Sequence, residues 1–182
     1  MGVLLLAGSC QVVDEISKII NKQTMKKQAT TTPKPAPIVE DLKQFKTVLK
    51  KILANDRKIN NAFNELKTKR YSKLKNKKQI RDYRRFFRYQ ISLPLKRSIS
   101  ELSRFKTQDA NLSKLHQNLL IAFKNQDSAY DDFANMLNAK QIRRRKEFMA
   151  SVSNLAKEIR IARSKQVKIL QQIALLNKQY GL

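Results

Sequence analysis

IVEDLKQFKTVLKKILANDRKINNAFNEL, residues 38–66, decides the fold. Ile38, Leu42, Phe45, Leu49, Ile52, Asp56, Ile59, Phe63 and Leu66 follow alternating steps of four and three, and eight of these nine positions are apolar. That spacing puts one narrow apolar stripe along an α-helix, the pattern of a coiled-coil-like seam. Pro37 stands just before it, where a fixed φ and a missing N–H suit a helix start. The spacing predicts a helix running to about Leu74, roughly 55 Å long at 1.5 Å per residue.

The same rhythm closes the chain. Phe148, Val152, Leu155, Ile159, Ala162, Gln166, Ile169, Ile173, Leu176 and Tyr180 repeat it, with nine of ten positions apolar, and Gly181 follows as a natural stop. Between the two seams, residues 77–106 present Ile80, Tyr83, Phe87, Ile91, Leu95, Ile99, Leu102 and Phe105 on one side. Pro94 interrupts that stretch and predicts a kink or break near 90–94, because proline lacks an N–H and clashes with the carbonyl four residues back. Thr107-Gln108-Asp109 offers capping side chains ahead of Leu112, Leu115, Leu119, Phe123, Tyr130, Phe133 and Leu137. No Gly or Pro lies between Leu137 and Phe148, so a continuous helix or gentle bend over 109–180 is favoured over a hairpin at 138–141.

Glycine is restricted to Gly2, Gly8 and Gly181, and proline to Pro33, Pro35, Pro37 and Pro94. Sheet proteins need both residues at their turns, so this scarcity predicts an all-α protein. Each seam is too narrow to be stable alone and must pack on its neighbours. The expected product is an elongated three- or four-helix bundle, or antiparallel coiled coil, over 38–182. Residues 24–37, TMKKQATTTPKPAP, bury nothing and favour extended backbone, so 11–37 reads as a short amphipathic stretch followed by a linker.

The chain carries 39 Lys+Arg against 14 Asp+Glu, a formal charge of +25. The excess peaks at residues 57–106, with 17 basic and 3 acidic side chains. Its focus is KNKKQIRDYRRFFRYQ, residues 75–90. At 100° per residue, Lys77, Lys78, Arg81, Arg84, Arg85 and Arg88 fall within about 120° of arc, a basic stripe roughly 17 Å long. Ile80, Tyr83 and Phe87 lie opposite, with Phe86 and Tyr89 on the border. The stripe reads either as a docking surface for phosphates or carboxylates, or as a solvated face paired with acids such as Asp127, Asp131 and Asp132. A second run, Arg143, Arg144, Arg145 and Lys146, reads either as an exposed anion-binding tip or as a polar hinge. Lys157, Arg160, Arg163, Lys165 and Lys168 read as solubilising surface.

Little else suggests chemistry. One cysteine excludes an intramolecular disulfide framework, and one histidine, His116, reads as a border residue of its helix. No metal-ligand spacing, phosphate-cradling glycine loop or Ser/His/Asp arrangement can be assembled. No catalytic residue, cofactor or metal site is therefore expected, and an enzyme is not expected. Asp56 and Gln166, polar inside apolar seams, read as setters of register or oligomeric state.

The N-terminus, VLLLAGSCQ at residues 3–11, holds no charge and the lone Cys10. Leu6-Ala7-Gly8-Ser9-Cys10 resembles a bacterial lipobox, so residues 1–10 resemble the end of a lipoprotein signal. That resemblance implies acylation of Cys10, a tether over 11–37, and a place in the bacterial cell envelope. Gln11 after the cysteine implies the outer membrane by analogy. Ala7 stands where Leu is usual, and the nine residues before the cysteine carry no basic start; an upstream start codon would supply one. The segment also reads as an apolar helix packing on the body or on a partner. The functional expectation is a non-enzymatic, membrane-anchored envelope lipoprotein, structural or adhesive, or a subunit of a complex or homo-oligomer. Its basic faces would dock an anionic polymer or an acidic protein surface. The alternatives are a cytoplasmic nucleic-acid-associated helical protein and a coiled-coil subunit of a larger assembly.

Overall fold

The computed structural model describes residues 37–68, 76–138 and 145–182. Cys10, the linker, Leu74, Arg143 and Arg144 lie outside the described residues, as do the side chains of Phe63, Leu66 and Arg145. Every regular element among the described residues is helical: α1 (Pro37–Thr68), α2 (Lys77–Phe87), a π turn (Arg88–Ser92), α3 (Leu93–Arg104), α4 (Ala110–Met136) and α5 (Arg145–Gln179). The helices pack against each other, α4 along α5, α1 along α3, and α3 along α4.

Burial follows the apolar stripes. Leu42, Phe45, Leu49, Ile52 and Ile59 of α1 are buried, as are Ile80, Tyr83, Phe87, Ile91, Leu95 and Leu102 of the next run. They join Leu112, Leu119, Phe123, Tyr130 and Phe133 of α4 and Val152, Leu155, Ile159, Ile169 and Ile173 of α5. Removing these side chains from water is the main favourable term, about 1.5–3 kcal/mol for each large one. Tyr180, the last position of the final stripe, is exposed.

Pro94 does not break its helix. The backbone stays helical from Lys77 to Arg104, and the π turn relieves the proline. Leu93 donates its N–H to the Arg88 carbonyl, five residues back. One extra residue in the turn, as in a π bulge, gives the pyrrolidine ring room. The turn packs against α1 and α4, and Ile91 within it is fully buried.

The capping signals at Asp109 and Gly181 are realised, and Asn76 supplies a cap not expected from the sequence. Asn76 caps α2 by accepting from the Gln79 N–H at 2.9 Å. Asp109 caps α4, accepting from the Leu112 N–H at 2.7 Å. Thr107 Oγ1 accepts from the Asp109 N–H and donates to Asp41 on α1, so the loop before α4 is tied to a neighbouring helix. At the end of α5, Gly181 adopts φ +70°. The Leu182 N–H reaches Asn177 O and the Gly181 N–H reaches Lys178 O, the paired bonds of a Schellman cap.

The expectation of one helix across 109–180 is corrected. Helix α4 stops at Met136, and α5 runs back along it. Gln126 bonds to Gln166, and Tyr130 interacts with Arg163, so rising numbers on one helix meet falling numbers on the other. Asparagine does what glycine or proline was expected to do. Asn138 donates its backbone N–H to Met136 O and its side-chain amide to Asn135 O, satisfying carbonyls that the ending helix leaves open. Reversal also lets the two apolar stripes bury each other.

Candidate functional site

Four aromatic rings fix the orientation of α2. Phe87 packs on Phe133 (centroids 4.9 Å apart) and on Tyr130 (5.5 Å), and Tyr83 meets Phe133 edge-on at 6.4 Å. Such tilted and T-shaped pairs add specific geometry to apolar burial. With Tyr83 and Phe87 held against α4 and Ile80 buried, the opposite side of α2 must face outward. Lys77, Lys78, Arg81, Arg85 and Arg88 are exposed, and Arg84, on the flank, is half-buried. The six residues of the stripe therefore form one continuous basic face.

Two of the acids that could have neutralised this face lie beside another cation. Lys96 Nζ of α3 lies 2.8 Å from Asp131 Oδ2 and 3.9 Å from Asp127 Oδ2. The bond to Asp131 holds the Lys96 ammonium above its ordinary range against the cost of burial. Asp127 moves upward as well, chiefly because burial disfavours its charge, with repulsion from Asp131 adding to this. The two directions show which contact matters: Lys96 and Asp131 are the pair, and Asp127 is a partly desolvated neighbour. No ion pair joins Lys77, Lys78, Arg81, Arg84, Arg85 or Arg88 to a carboxylate among the described residues.

The face extends further than its sequence pattern suggested. Tyr89, expected at the border, is 57% exposed, and Leu93 is 39% exposed. Arg97, one more four-residue step along, is exposed too. Phe86 is half-buried against the core. The missed signal was the continuation of steps of four from Lys77 through 81, 85, 89, 93 and 97, hidden by the kink or break expected near 90–94.

The second basic run is not assembled into a site by the described residues. Arg145 opens α5 and Lys146 is exposed, while Arg143 and Arg144 lie outside the description. Lys157, Arg160, Lys165 and Lys168 are exposed as expected.

Two readings need correction. Arg163 is not surface; its side chain is only 4% exposed. It reaches Asp56 Oδ1 on α1 at 3.4 Å. Beside it, Gln166 donates to Gln126 Oε1 at 2.8 Å, and Gln126 donates to Tyr130 Oη at 3.3 Å. Burial pushes the Tyr130 phenol up, so it remains protonated. Asp56 and Gln166, the two polar seam positions, thus belong to one polar layer joining α1, α4 and α5. Position 163 is buried because α5 meets both α1 and α4, which widens its buried face beyond a two-helix seam.

His116 is not at a border but in the core. Its Nε2 lies 2.8 Å from the Leu102 carbonyl, which can only accept, so that nitrogen carries the proton. The rings of Phe45 and Phe105 stand edge-on to it at 5.9 and 5.3 Å. The imidazole serves a carbonyl at the end of α3. No group of three or more His, Cys, Asp or Glu side chains gathers among the described residues. No described helix is long and apolar enough to cross a membrane. Comparison with protein families, with curated proteins and with solved structures returns no match.

Proposed function

We propose that this chain is a non-enzymatic bacterial envelope lipoprotein that docks an anionic partner on a basic helix face. Cys10 carries the lipid and residues 11–37 form the tether. Residues 38–182 form an elongated four-helix bundle with antiparallel neighbours. The observation that carries the docking role is the unneutralised face of α2. Five of its six cations are exposed and Arg84 is half-buried on the flank, none has a carboxylate within 4 Å among the described residues, and Asp131 pairs with Lys96 instead. Like charges three and four residues apart destabilise a helix by a few tenths of a kcal/mol per pair. An external anion removes that repulsion, and arginine can bind it through two parallel hydrogen bonds. The lipobox-like Leu6-Ala7-Gly8-Ser9-Cys10 supports the membrane location.

Mass spectrometry of the protein from its native cells tests the anchor. A thioether-linked diacylglycerol on Cys10 is expected, and an intact, unmodified Met1 terminus overturns it. Binding to a polyanion across a salt series tests the docking face. Replacing Arg81, Arg85 and Arg88 by alanine should lower the slope of log K against log salt by about 2–3. An unchanged slope removes the docking role from α2. Selective, salt-steep binding to nucleic acid by a protein lacking lipid would instead favour the intracellular alternative.

A further inference from the structure

The docking face is not purely cationic. Along the helical run from Lys77 to Arg104, Lys77, Arg81, Arg85, Tyr89, Leu93 and Arg97 succeed one another at steps of four, and all six are exposed. Each step of four turns the row by about 40° in a regular α-helix, and the extra residue of the π turn takes back about 100° of that drift, so the six positions stay on the side away from the core. This row spans roughly 30 Å at 1.5 Å per residue. The π turn keeps it aligned past Pro94, because Leu93 reaches back to Arg88 and the helix continues without a break. The order is three cations, an aromatic, an aliphatic and a further cation.

Resting on the docking reading above, we propose that this row is an interfacial surface for anionic phospholipid headgroups, with Tyr89 and Leu93 entering the headgroup layer between flanking cations. Charge complementarity selects the partner class, since none of the row's cations is neutralised by a described carboxylate. The two apolar side chains narrow it. A helix lying in the membrane plane combines basic side chains at the phosphates with aromatic and aliphatic groups at the acyl boundary. Tyrosine is favoured at that level because its ring is apolar and its hydroxyl is wet. Single-stranded nucleic acid fits less well. It calls for successive stacking rings, whereas Tyr89 stands alone and Phe86 packs inward. An acidic protein partner would satisfy the cations but gives no reason for an exposed leucine between them.

The test uses the full chain with Cys10→Ser, so that no acyl group contributes. Because the protein contains no tryptophan, Tyr89→Trp places a single fluorophore at the centre of the row. Vesicles of phosphatidylcholine with 30% phosphatidylglycerol should shift its emission to the blue, and brominated lipids should quench it. Pure phosphatidylcholine should do neither. Arg81→Ala with Arg85→Ala should weaken vesicle binding at least tenfold, since each surface cation contributes about fivefold. The control pair Lys165→Ala with Lys168→Ala, on the exposed side of α5, should change it no more than about twofold. Tyr89→Ser with Leu93→Ser should weaken binding several-fold, and more severely at high salt, where the charge contribution is screened.

Equal losses in the two charge pairs, or no spectral shift on anionic vesicles, overturn the proposal. Salt-dependent binding of polyuridylate or an acidic peptide without vesicle binding overturns the lipid assignment and leaves the docking face intact. No binding of any polyanion at low salt overturns both. Circular dichroism on each variant verifies that the helices remain, as expected for substitutions at exposed positions.

Discussion

Arg163 places a guanidinium inside the protein with its side chain 4% exposed, and Asp56, 13% exposed, is the carboxylate it reaches. Moving such charges out of water costs several kcal/mol each, and mutual attraction offsets this only while both partners are present. Asp56→Ala should therefore destabilise the fold by about 3 kcal/mol, because it leaves the buried cation behind. Replacing both, Asp56→Leu with Arg163→Met, should recover most of that loss, since well-packed apolar pairs often equal buried ion pairs. Urea unfolding of the two variants measures both changes; equal destabilisation would mean that the pair contributes through its shape rather than its charge. Asp56 and Gln166 were legible in the sequence as polar intrusions into apolar stripes. Arg163 was not, because its burial depends on a second helix arriving beside α5, and one-dimensional periodicity records only a helix's own face. The same limit hid His116, whose burial follows from the Phe45 and Phe105 rings and from the Leu102 carbonyl, which faces it while also accepting the Phe105 N–H.

The elements themselves were easier to read than their connections. Regular steps of three and four marked the buried faces because each helix must hide one stripe, and Thr107-Gln108-Asp109 marked the start of α4 through cap chemistry. The reversal after Met136 was missed because Asn138 supplies the turn chemistry with its side chain, and a rule searching for Gly or Pro passes over it. Pro94 marked the right place for an irregularity, which takes the form of a π turn over Arg88–Ser92 rather than a break. The cap at Asp109 carries a definite expectation. Its carboxylate holds the Leu112 N–H at 2.7 Å, and its own N–H is held by Thr107, which also bonds Asp41 of α1. Asp109→Ala should lower stability by about 1 kcal/mol, while Asp109→Ser should retain most of it. The shift in urea midpoint at constant slope reads this directly. A change in slope would show that the cap also organises the loop between α3 and α4.

Across the whole molecule, 39 basic side chains against 14 acidic ones leave a net charge of +25. Among the described residues, and unlike the buried Arg163–Asp56, Lys51–Glu101 and Lys96–Asp131 are close cation–carboxylate pairs that are partly solvent-exposed. Pairs of that kind contribute roughly 0–1 kcal/mol. The remaining cations, above all those of α2, repel one another in the folded state more than in the expanded unfolded chain, where they lie farther apart. Screening should therefore stabilise this protein. The Debye length falls from about 30 Å at 0.01 M salt to about 10 Å at 0.1 M. The melting temperature should rise by several degrees over that range, then level off as residual repulsion disappears. Sulfate should act at lower concentration than chloride, because a divalent anion both screens and bridges neighbouring guanidinium groups. Scanning calorimetry across the two salts measures it. With Arg81, Arg85 and Arg88 replaced by alanine, the salt-free melting temperature should already be higher and the rise smaller. A variant that instead melts lower, with the same salt response, would mean that the repulsion is spread over the whole surface rather than concentrated on α2.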